Sequence, residues 1–560
     1  MDPNYPFFVD WSINPYHADP ALDLHRRRDA IADTYSSMKA LSVLYGGRLE
    51  PEAFEKLLDT TGDSSFSLAL AAAGRFPGVE KTVLLCSEGE VPPNLKGVEA
   101  LIRPSWTKKS LLEELSRLSS GYDFLYYAWA DCPFLDHDLS AALAERHKRY
   151  RADYSYADGW PYGFAPELLT PGAAGILSKL AADEPVERDA LFDVIQKDIN
   201  AFDIETEISA VDLRHYRITL AADSRRNLLL ISRLMEAGLR SAAEADTIIR
   251  EKPELFRTLP AFFSIQVSSS CPQTCSYCPW PLFGGDVLGH KEYMSLKDFS
   301  LLLDKIQDFA GDAVIDLSLW GEMSLHPQKI ELIQEVLSRR ALSLIVETSG
   351  IGWNETELSH LAAAASGAGP KKNHMAPLSW IVSLDAHDPL RYKEIRGPGF
   401  SEARSCAKKL LTLFPKDTYV QAVRVKGFED DIEHFYRSWK GEDLPAEFLS
   451  ASRKEGSHII IQKYDDFAGA LPKMQASDLS PVKRRPCWHI QRDMDILLDG
   501  SVPCCREDME ALKGNGILGN AIRDGLDSIW EKGASIYLEH CASEYRGICA
   551  VCDEYYTYNF

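Results

Sequence analysis

The 560-residue chain is short of positive charge: 61 lysines and arginines stand against 83 aspartates and glutamates, a formal charge of −22. Phosphate backbones and anionic membrane surfaces are met by clustered cations, so nonspecific nucleic-acid and membrane-surface binding are excluded. No apolar run approaches the eighteen or so residues of a membrane helix. The opening MDPNYPFFVDW lacks the basic-then-apolar order of an export signal. Cysteine is scarce outside two stretches: of twelve, only Cys86, Cys132 and Cys406 lie outside 271–278 and 487–552. Clustered thiols without an export signal point to a reducing cytoplasm and metal-bound thiolates, not to a secreted disulfide framework. What remains is ordinary, with 45% hydrophobic and 26% charged residues, and enough length for three or so domains.

The informative stretch is Ser268 to Gly285, SSSCPQTCSYCPWPLFGG. Cys271, Cys275 and Cys278 stand in C-x3-C-x2-C spacing directly after the strand-like run Phe262 to Val267. Thiolates from one short loop serve an iron–sulfur cluster. A zinc site or unrelated core thiols are the competing readings. A four-iron cubane with three protein ligands leaves one iron open to a small chelating molecule. With Tyr277 just before the last cysteine, the loop resembles the radical S-adenosylmethionine (SAM) family, where the open iron binds the amino and carboxylate groups of SAM.

Downstream the pattern is regular. Ser295 with Asp298 reads as a capping box, and Leu296, Phe299, Leu303, Ile306 and Ala310 recur at helical spacing. Strands are predicted at Ala313–Leu319, Ser343–Val346, Trp380–Leu384, Tyr419–Val425 and His458–Ile461, with helices over 328–339, 355–365, 401–413 and 429–440. With Phe262–Val267 this makes six β/α units, and the resemblance implies a partial (β/α)6 barrel. Parallel barrels gather functional groups at strand C-termini. There Trp320-Gly321-Glu322 resembles the family's Gly-Gly-Glu motif, which grips the SAM ammonium, with Trp320 in place of the first glycine. Thr348-Ser349-Gly350 resembles the family's Thr-Asn-Gly. Ser383-Leu384-Asp385 resembles a Ser-Leu-Asp frequent in SAM enzymes that modify peptides, making Ser383 a candidate for the SAM carboxylate or ribose. Arg396 reads as solvated surface, with a carboxylate contact as the alternative, and His326 and His387 read as loop hydrogen-bonders.

Beyond the barrel come Cys487, then Asp499-Gly500 and Pro503-Cys504-Cys505, Gly519-Asn520, Trp530, Cys541 and Cys549-x2-Cys552. Asp499-Gly500 is a hairpin signal. The order resembles the SPASM/twitch extension of radical SAM enzymes, which holds auxiliary four-iron clusters. Too few cysteines follow for two clusters, so one is expected, on Cys487, Cys505, Cys549 and Cys552. Adjacent residues in a strand point opposite ways, so one of Cys504 and Cys505 is expected to bind. Cys541 is a substitute, and a four-cysteine zinc knuckle is the alternative.

Upstream, residues 38–240 alternate strands (Leu41–Tyr45, Lys81–Cys86, Phe124–Ala130) with helices (Ser67–Phe76, Ser110–Ser119). That alternation predicts a largely parallel sheet. Asp131, at a strand end, is placed to hold Mg²⁺ beside a phosphate. The runs DCPFLDHDLSAAL, Tyr162-Gly163-Phe164 with Glu167, and RITLAADSRRNLLLISRLM resemble the cytidylyltransferases of surface-sugar biosynthesis, of the spore-coat-polysaccharide type. Asp131 and Asp223 occupy the positions that hold the metal in that family. The basic loop that cradles the triphosphate is missing after Leu41–Tyr45, and Asn227 stands where an acid is usual. The resemblance therefore implies a degenerate nucleotidyltransferase-like head and a vestigial metal site.

The fold expected is α/β. Residues 1–37 form an extension carrying the basic Arg26, Arg27 and Arg28, and 38–240 the nucleotidyltransferase-like domain. Residues 241–260 are a linker, 261–470 the radical SAM partial barrel and 471–560 the small SPASM/twitch iron–sulfur domain. The whole most resembles the spiro-SPASM proteins of spirochaetes. The resemblance implies reductive cleavage of SAM to a 5′-deoxyadenosyl radical, with an electron donor such as flavodoxin or ferredoxin. The auxiliary cluster would assist oxidation or modification of a peptide. A sugar or sugar-nucleotide substrate, or a non-catalytic iron–sulfur or zinc module, are the alternatives.

Overall fold

The computed structural model describes residues 39–57, 62–89, 95, 98–283, 292–442, 458–476, 481 and 483–555. The expected extension with Arg26–Arg28, the Gly284-Gly285 end of the cysteine stretch and the last five residues lie outside them. The chain divides into two compact units: Met1–Ala222 with Gly238–Ile248, and Asp223–Ala237 with Ile249–Phe560. Both are mixed α/β built on parallel sheets, the fold class that the alternation of apolar runs predicts. Among the described residues no helix is long and apolar enough to cross a membrane.

The first unit is organised on β1 (Ala40–Gly46), β2 (Val79–Ser87), β3 (Glu99–Arg103), β4 (Phe124–Trp129), β5 (Tyr154–Asp158), β6 (Glu167–Leu169) and β7 (Ile204–Ile208), in the order β3-β2-β1-β4-β6-β5-β7. Every residue of β1 and β4 is buried, as expected of strands covered on both faces. β6 is the antiparallel member, pairing Tyr127 with Glu167. Sequence periodicity misses it because three residues hold no period. Side-chain caps start the helices: Ser64 and Thr107 form reciprocal boxes with Ser67 and Ser110, and Asp136 accepts from the Leu139 amide at 2.7 Å.

In the second unit β8 (Phe262–Ile265), β9 (Ala313–Asp316), β10 (Leu342–Thr348), β11 (Leu378–Ser383), β12 (Thr418–Arg424), β13 (Ile459–Lys463) and β14 (Asp493–Ile496) form one parallel sheet, ordered β13-β12-β11-β10-β9-β8-β14. Helices Leu296–Ala310, Lys329–Leu337, Glu355–Gly367, Phe400–Leu413 and Glu429–Arg437 connect them. Ser295 caps the first through the Asp298 amide at 3.1 Å, and Phe299, Leu302, Leu303 and Ile306 bury its inner stripe. β14 pairs with β8 although more than two hundred residues separate them, a pairing no local pattern announces. The Asp499-Gly500 signal does make a turn, with Gly500 at φ +85°. The strand it leads into, β15 (Ser501–Pro503), takes its ladder partner from β16 (Ile517–Asn520). Arg257 ties this end of the chain down: its guanidinium lies 3.6 Å over the Trp530 ring and donates to the carbonyls of Trp530 (2.7 Å) and Ile490 (3.0 Å).

Candidate functional site: a three-thiol loop over a polar cavity

Cys271, Cys275 and Cys278 line one cavity of about 210 Å³ in the second unit, with Tyr277, Trp320, Gly321, Glu322, Thr348, Ser349 and Ser383. Their loop is pinned from below. Ser276 N–H donates to Ile395 O (2.8 Å), Thr274 N–H to Arg396 O (3.1 Å) and the Gln273 amide to Pro398 O (2.6 Å). Burial pushes the Cys278 thiol up to about 12 and raises Cys271 and Cys275 as well, the latter against the pull of the Arg396 cation. Burial disfavours the charged thiolate and so favours the protonated thiols, Arg396 notwithstanding. A bound metal reverses that preference by supplying the positive charge.

Glu322 is locked from two strands. Its Oε1 accepts from Thr348 Oγ1 (2.6 Å) and its Oε2 from the Ser349 amide (2.7 Å), while its own N–H donates to Ser270 O (2.7 Å) in the cysteine loop. Gly321 precedes it at φ +125°, with room for no side chain: an added Cβ would stand 2.0 Å from the Ser268 carbonyl oxygen. Trp320, in place of the expected glycine, takes φ +42° and stacks on Trp280, centroids 6.4 Å apart.

Tyr277 donates to Asp385 Oδ2 (2.6 Å), and Arg396 reaches the same oxygen (2.6 Å) and the Tyr277 hydroxyl. Asp385 also accepts from the Val423 amide (2.7 Å). Arg396, expected at the surface, is buried: its side chain is 6% exposed and that of Asp385 0%. His326 fits the loop-bonding expectation, with Nε2 against Met294 O (2.9 Å) and Nδ1 accepting from the Gln328 amide (3.0 Å).

Beside Ser383, the cavity floor holds residues that the sequence does not single out. Ser383 Oγ donates to Glu347 Oε1 (2.8 Å), and the Gln421 amide donates to the same oxygen (2.6 Å). Asp316 accepts from Ser264 (2.9 Å) and Ser318 (2.7 Å), and burial pushes its carboxyl up to about 6. A signal is present: polar residues interrupt or close apolar runs, as in FFSI, AVID, LIVET, IVS, YVQAV and IIIQK. Among them Ser264, Asp316, Glu347, Ser383, Gln421 and Gln462 all line the cavity.

The second cysteine group gathers in the same unit. Cys487, buried, packs with Tyr537, Tyr555, Cys504, Cys505 and Cys541. Burial pushes Cys487 and Cys504 up to about 12, and the Cys549 charge bears on both. Cys505 and Cys552 are both raised above the ordinary value, by burial first and then by the Glu507 charge. The Glu507 and Glu554 amides donate to Cys505 Sγ and Cys552 Sγ, each at 3.3 Å. Cys541 is pushed only to about 11, by burial and then Glu254, with Tyr537 bonded to it.

In the first unit Asp131 is 1% exposed, and both its oxygens accept from Arg188, at 3.1 and 2.6 Å. Asp223 belongs to the other unit and accepts from the Asn227 side chain at 2.8 Å. Glu167 sits in a cavity wall where burial pushes its carboxyl up to about 8, with Tyr154 pulling the other way and the Asp189 charge adding to the rise. The folded carboxyl thus holds a proton that the unfolded one releases near 4.5. The stability this contributes is complete below that value and is lost as pH climbs through about 8. Glu167→Gln should flatten the fall: its thermal midpoint, set against wild type from pH 5 to 8.5, should gain ground steadily with pH. A constant difference between the two proteins would contradict the assignment.

No family model matches the chain. It is 33% identical over 379 residues to an uncharacterized protein of Treponema pallidum (strain Nichols), across 66% of this chain and 98% of that protein. A second uncharacterized protein of the same organism is 37% identical over 70 residues, 12% of this chain and 32% of its own length. Among solved structures, the chain is similar to BtrN in complex with AdoMet and 2-DOIA (15% identity, 50% of this chain and 87% of that one, TM-score 0.33). It is similar to a cytidylyltransferase from Leptospira borgpetersenii (14%, 39% and 95%, TM-score 0.33). Streptococcus suis SuiB bound to precursor peptide SuiA is a third such structure (12%, 69% and 83%, TM-score 0.35). At 33% identity over nearly the whole of that first relative, the chain belongs to the same family as the uncharacterized Treponema pallidum protein.

Proposed function

We propose that the chain is a radical SAM enzyme. Cys271, Cys275 and Cys278 hold a four-iron cluster with one iron left for SAM, and the carrying observation is that three half-buried thiols line one cavity together with Gly321, Glu322 and Ser383. Three thiolates from one short loop are a donor set that iron–sulfur clusters take. When bound, such a cluster supplies the electron that splits SAM into methionine and a 5′-deoxyadenosyl radical able to take hydrogen from an unactivated C–H bond.

The chain's own residues bind and orient. Glu322, fixed by Thr348 and Ser349, offers a carboxylate to the SAM ammonium without having to reorganise. Ser383, aligned by Glu347, is the contact for SAM's ribose or carboxylate. Tyr277 and Arg396 hold the thiol loop to the Asp385 strand end. Cys487, Cys505, Cys549 and Cys552 hold one auxiliary cluster, with the Cys505 and Cys552 sulfurs each already accepting a backbone N–H. Flavodoxin or ferredoxin is the electron donor and a peptide the substrate, in a spiro-SPASM-type enzyme working in the cytoplasm. The row of hydroxyls, amides and carboxylates on the floor favours a sugar as the second reading. The metal implied at Asp131 does not fit. A divalent cation there would have to displace the Arg188 guanidinium from both carboxylate oxygens.

Anaerobic reconstitution should give about four irons per cluster and 5′-deoxyadenosine on adding SAM and dithionite. The Cys271→Ala/Cys275→Ala/Cys278→Ala variant should lose about four irons and all nucleoside, while Cys541→Ala keeps both. Zinc in place of iron, or nucleoside from the triple variant, would overturn the reading.

A further inference from the structure

The floor of the three-thiol cavity is one layer of the sheet, and its open valences are acceptors. Phe262, Val314, Ile345, Ile381, Tyr419 and Ile460 pack together as an apolar layer. The six polar floor residues each stand two positions further along the same strands, hence on the same face, and all line the cavity. The donors beside the two acids are already spent. Ser264 and Ser318 both donate to Asp316 Oδ2, and Ser383 and Gln421 both donate to Glu347 Oε1. Each carboxylate keeps its second oxygen, Asp316 Oδ1 and Glu347 Oε2, for a ligand. The cations of the cavity wall do not answer them, because each is held by an acid outside that wall: Arg396 by Asp385 (2.6 Å), Lys463 by Asp553 (3.0 Å) and Glu554, and Arg506 by Glu507 (3.5 Å). Asp316 and Glu347 meet hydroxyls and an amide instead, with no ion pair among the described residues. Burial raises the Asp316 carboxyl, against the Ser318 hydroxyl, and the Glu347 charge adds to the rise.

We propose that the floor binds the substrate through a protonated amine, docked on Asp316 Oδ1 and Glu347 Oε2. That the amine is the substrate's rests on the radical SAM reading, which makes this cavity the reaction site. An ammonium carries three donors and no acceptor, so it suits a surface whose own donors are taken. It also relieves two neighbouring carboxylates of their mutual repulsion, whereas a carboxylate or phosphate would add to it. SAM leaves the place open: its own ammonium goes to Glu322, and its sulfonium has no hydrogen to donate. A lysine side chain and an amino sugar present the same group here.

The test is saturation-transfer difference NMR on the full chain with two matched pairs: Nα-acetyl-lysine amide against Nα-acetyl-norleucine amide, and glucosamine against glucose. At least one amine should bind about tenfold more tightly than its neutral partner, and the pair that responds separates a peptide from a sugar. Adding SAM should leave that binding in place. The amine's affinity should fall about tenfold in Glu347→Gln and in Asp316→Asn, which keep the side-chain volumes; Asp316 touches no residue assigned to SAM. No preference for the amine in either pair, loss of the amine on adding SAM, or an affinity unchanged in either folded variant would each overturn the assignment. Iron content and nucleoside production are measured apart from amine binding, so failure of the radical SAM reading shows in the first two and failure of the amine site in the third.

Discussion

Arg396→Met is expected to strip the three-thiol loop of its cluster although no thiol is touched. The guanidinium sits against a carboxylate that is 0% exposed and simultaneously bonds the Tyr277 hydroxyl and the Gln273 side chain (3.3 Å). Methionine fills similar space but leaves Asp385 buried and uncompensated, a change that typically costs about 3–5 kcal/mol. Asp385 also accepts from Val423 N–H, so its displacement would propagate into β12. Arg396→Lys keeps the charge but offers one ammonium where the guanidinium reaches three partners, and should recover only part of the loss. Removing both charges in Arg396→Met/Asp385→Asn should restore most of the stability but not the tether of Tyr277. The checks are the denaturation midpoint and iron per chain after anaerobic reconstitution. A single variant that binds iron like wild type at an unchanged midpoint would show the network to be incidental.

That network marks where the sequence stops being legible. The thiol spacing, the strand-end Gly321-Glu322 and the helix start at Ser295 announce themselves within a few residues, because capping and short-loop ligation are local. Arg396 does not. It ends the helix Pro389–Arg396, and what buries it is the cysteine loop more than a hundred residues earlier. β14 is hidden in the same way: the four residues DMDI acquire a partner only through β8. The floor residues lie between these extremes. Glu347 interrupts an apolar strand, so its oddity is visible locally, but its pairing with Gln421 needs the neighbouring strands in register. The Asp131–Arg188 pair was equally out of reach. An acid at a strand end reads as a metal ligand until the arginine 57 residues on is seen to fill it.

Gly321→Ala should be the most damaging alanine substitution among the described glycines. The added Cβ would stand 2.0 Å from Ser268 O and 3.0 Å from Ser268 C, both backbone atoms of the cysteine loop, and φ +125° is a conformation L-residues rarely adopt. Retreat is blocked on both sides. Glu322 N–H is bonded to Ser270 O, so moving the loop breaks that contact; moving Gly321 instead drags Glu322 away from Thr348 and Ser349. Gly369→Ala supplies the control. Its φ of +68° is also left-handed, but nothing stands within 4 Å of the new methyl, so it should cost only about 1 kcal/mol of backbone strain. Hydrogen exchange separates the two: Gly321→Ala should speed exchange across 268–278 while β10 to β12 stay protected, with iron at the loop and nucleoside production both lost. Gly369→Ala should leave all of these unchanged. Should Gly321→Ala keep its iron and its slow exchange, the close approach of the two backbones is not what holds the thiols in place, and Glu322 cannot be the clamp between them.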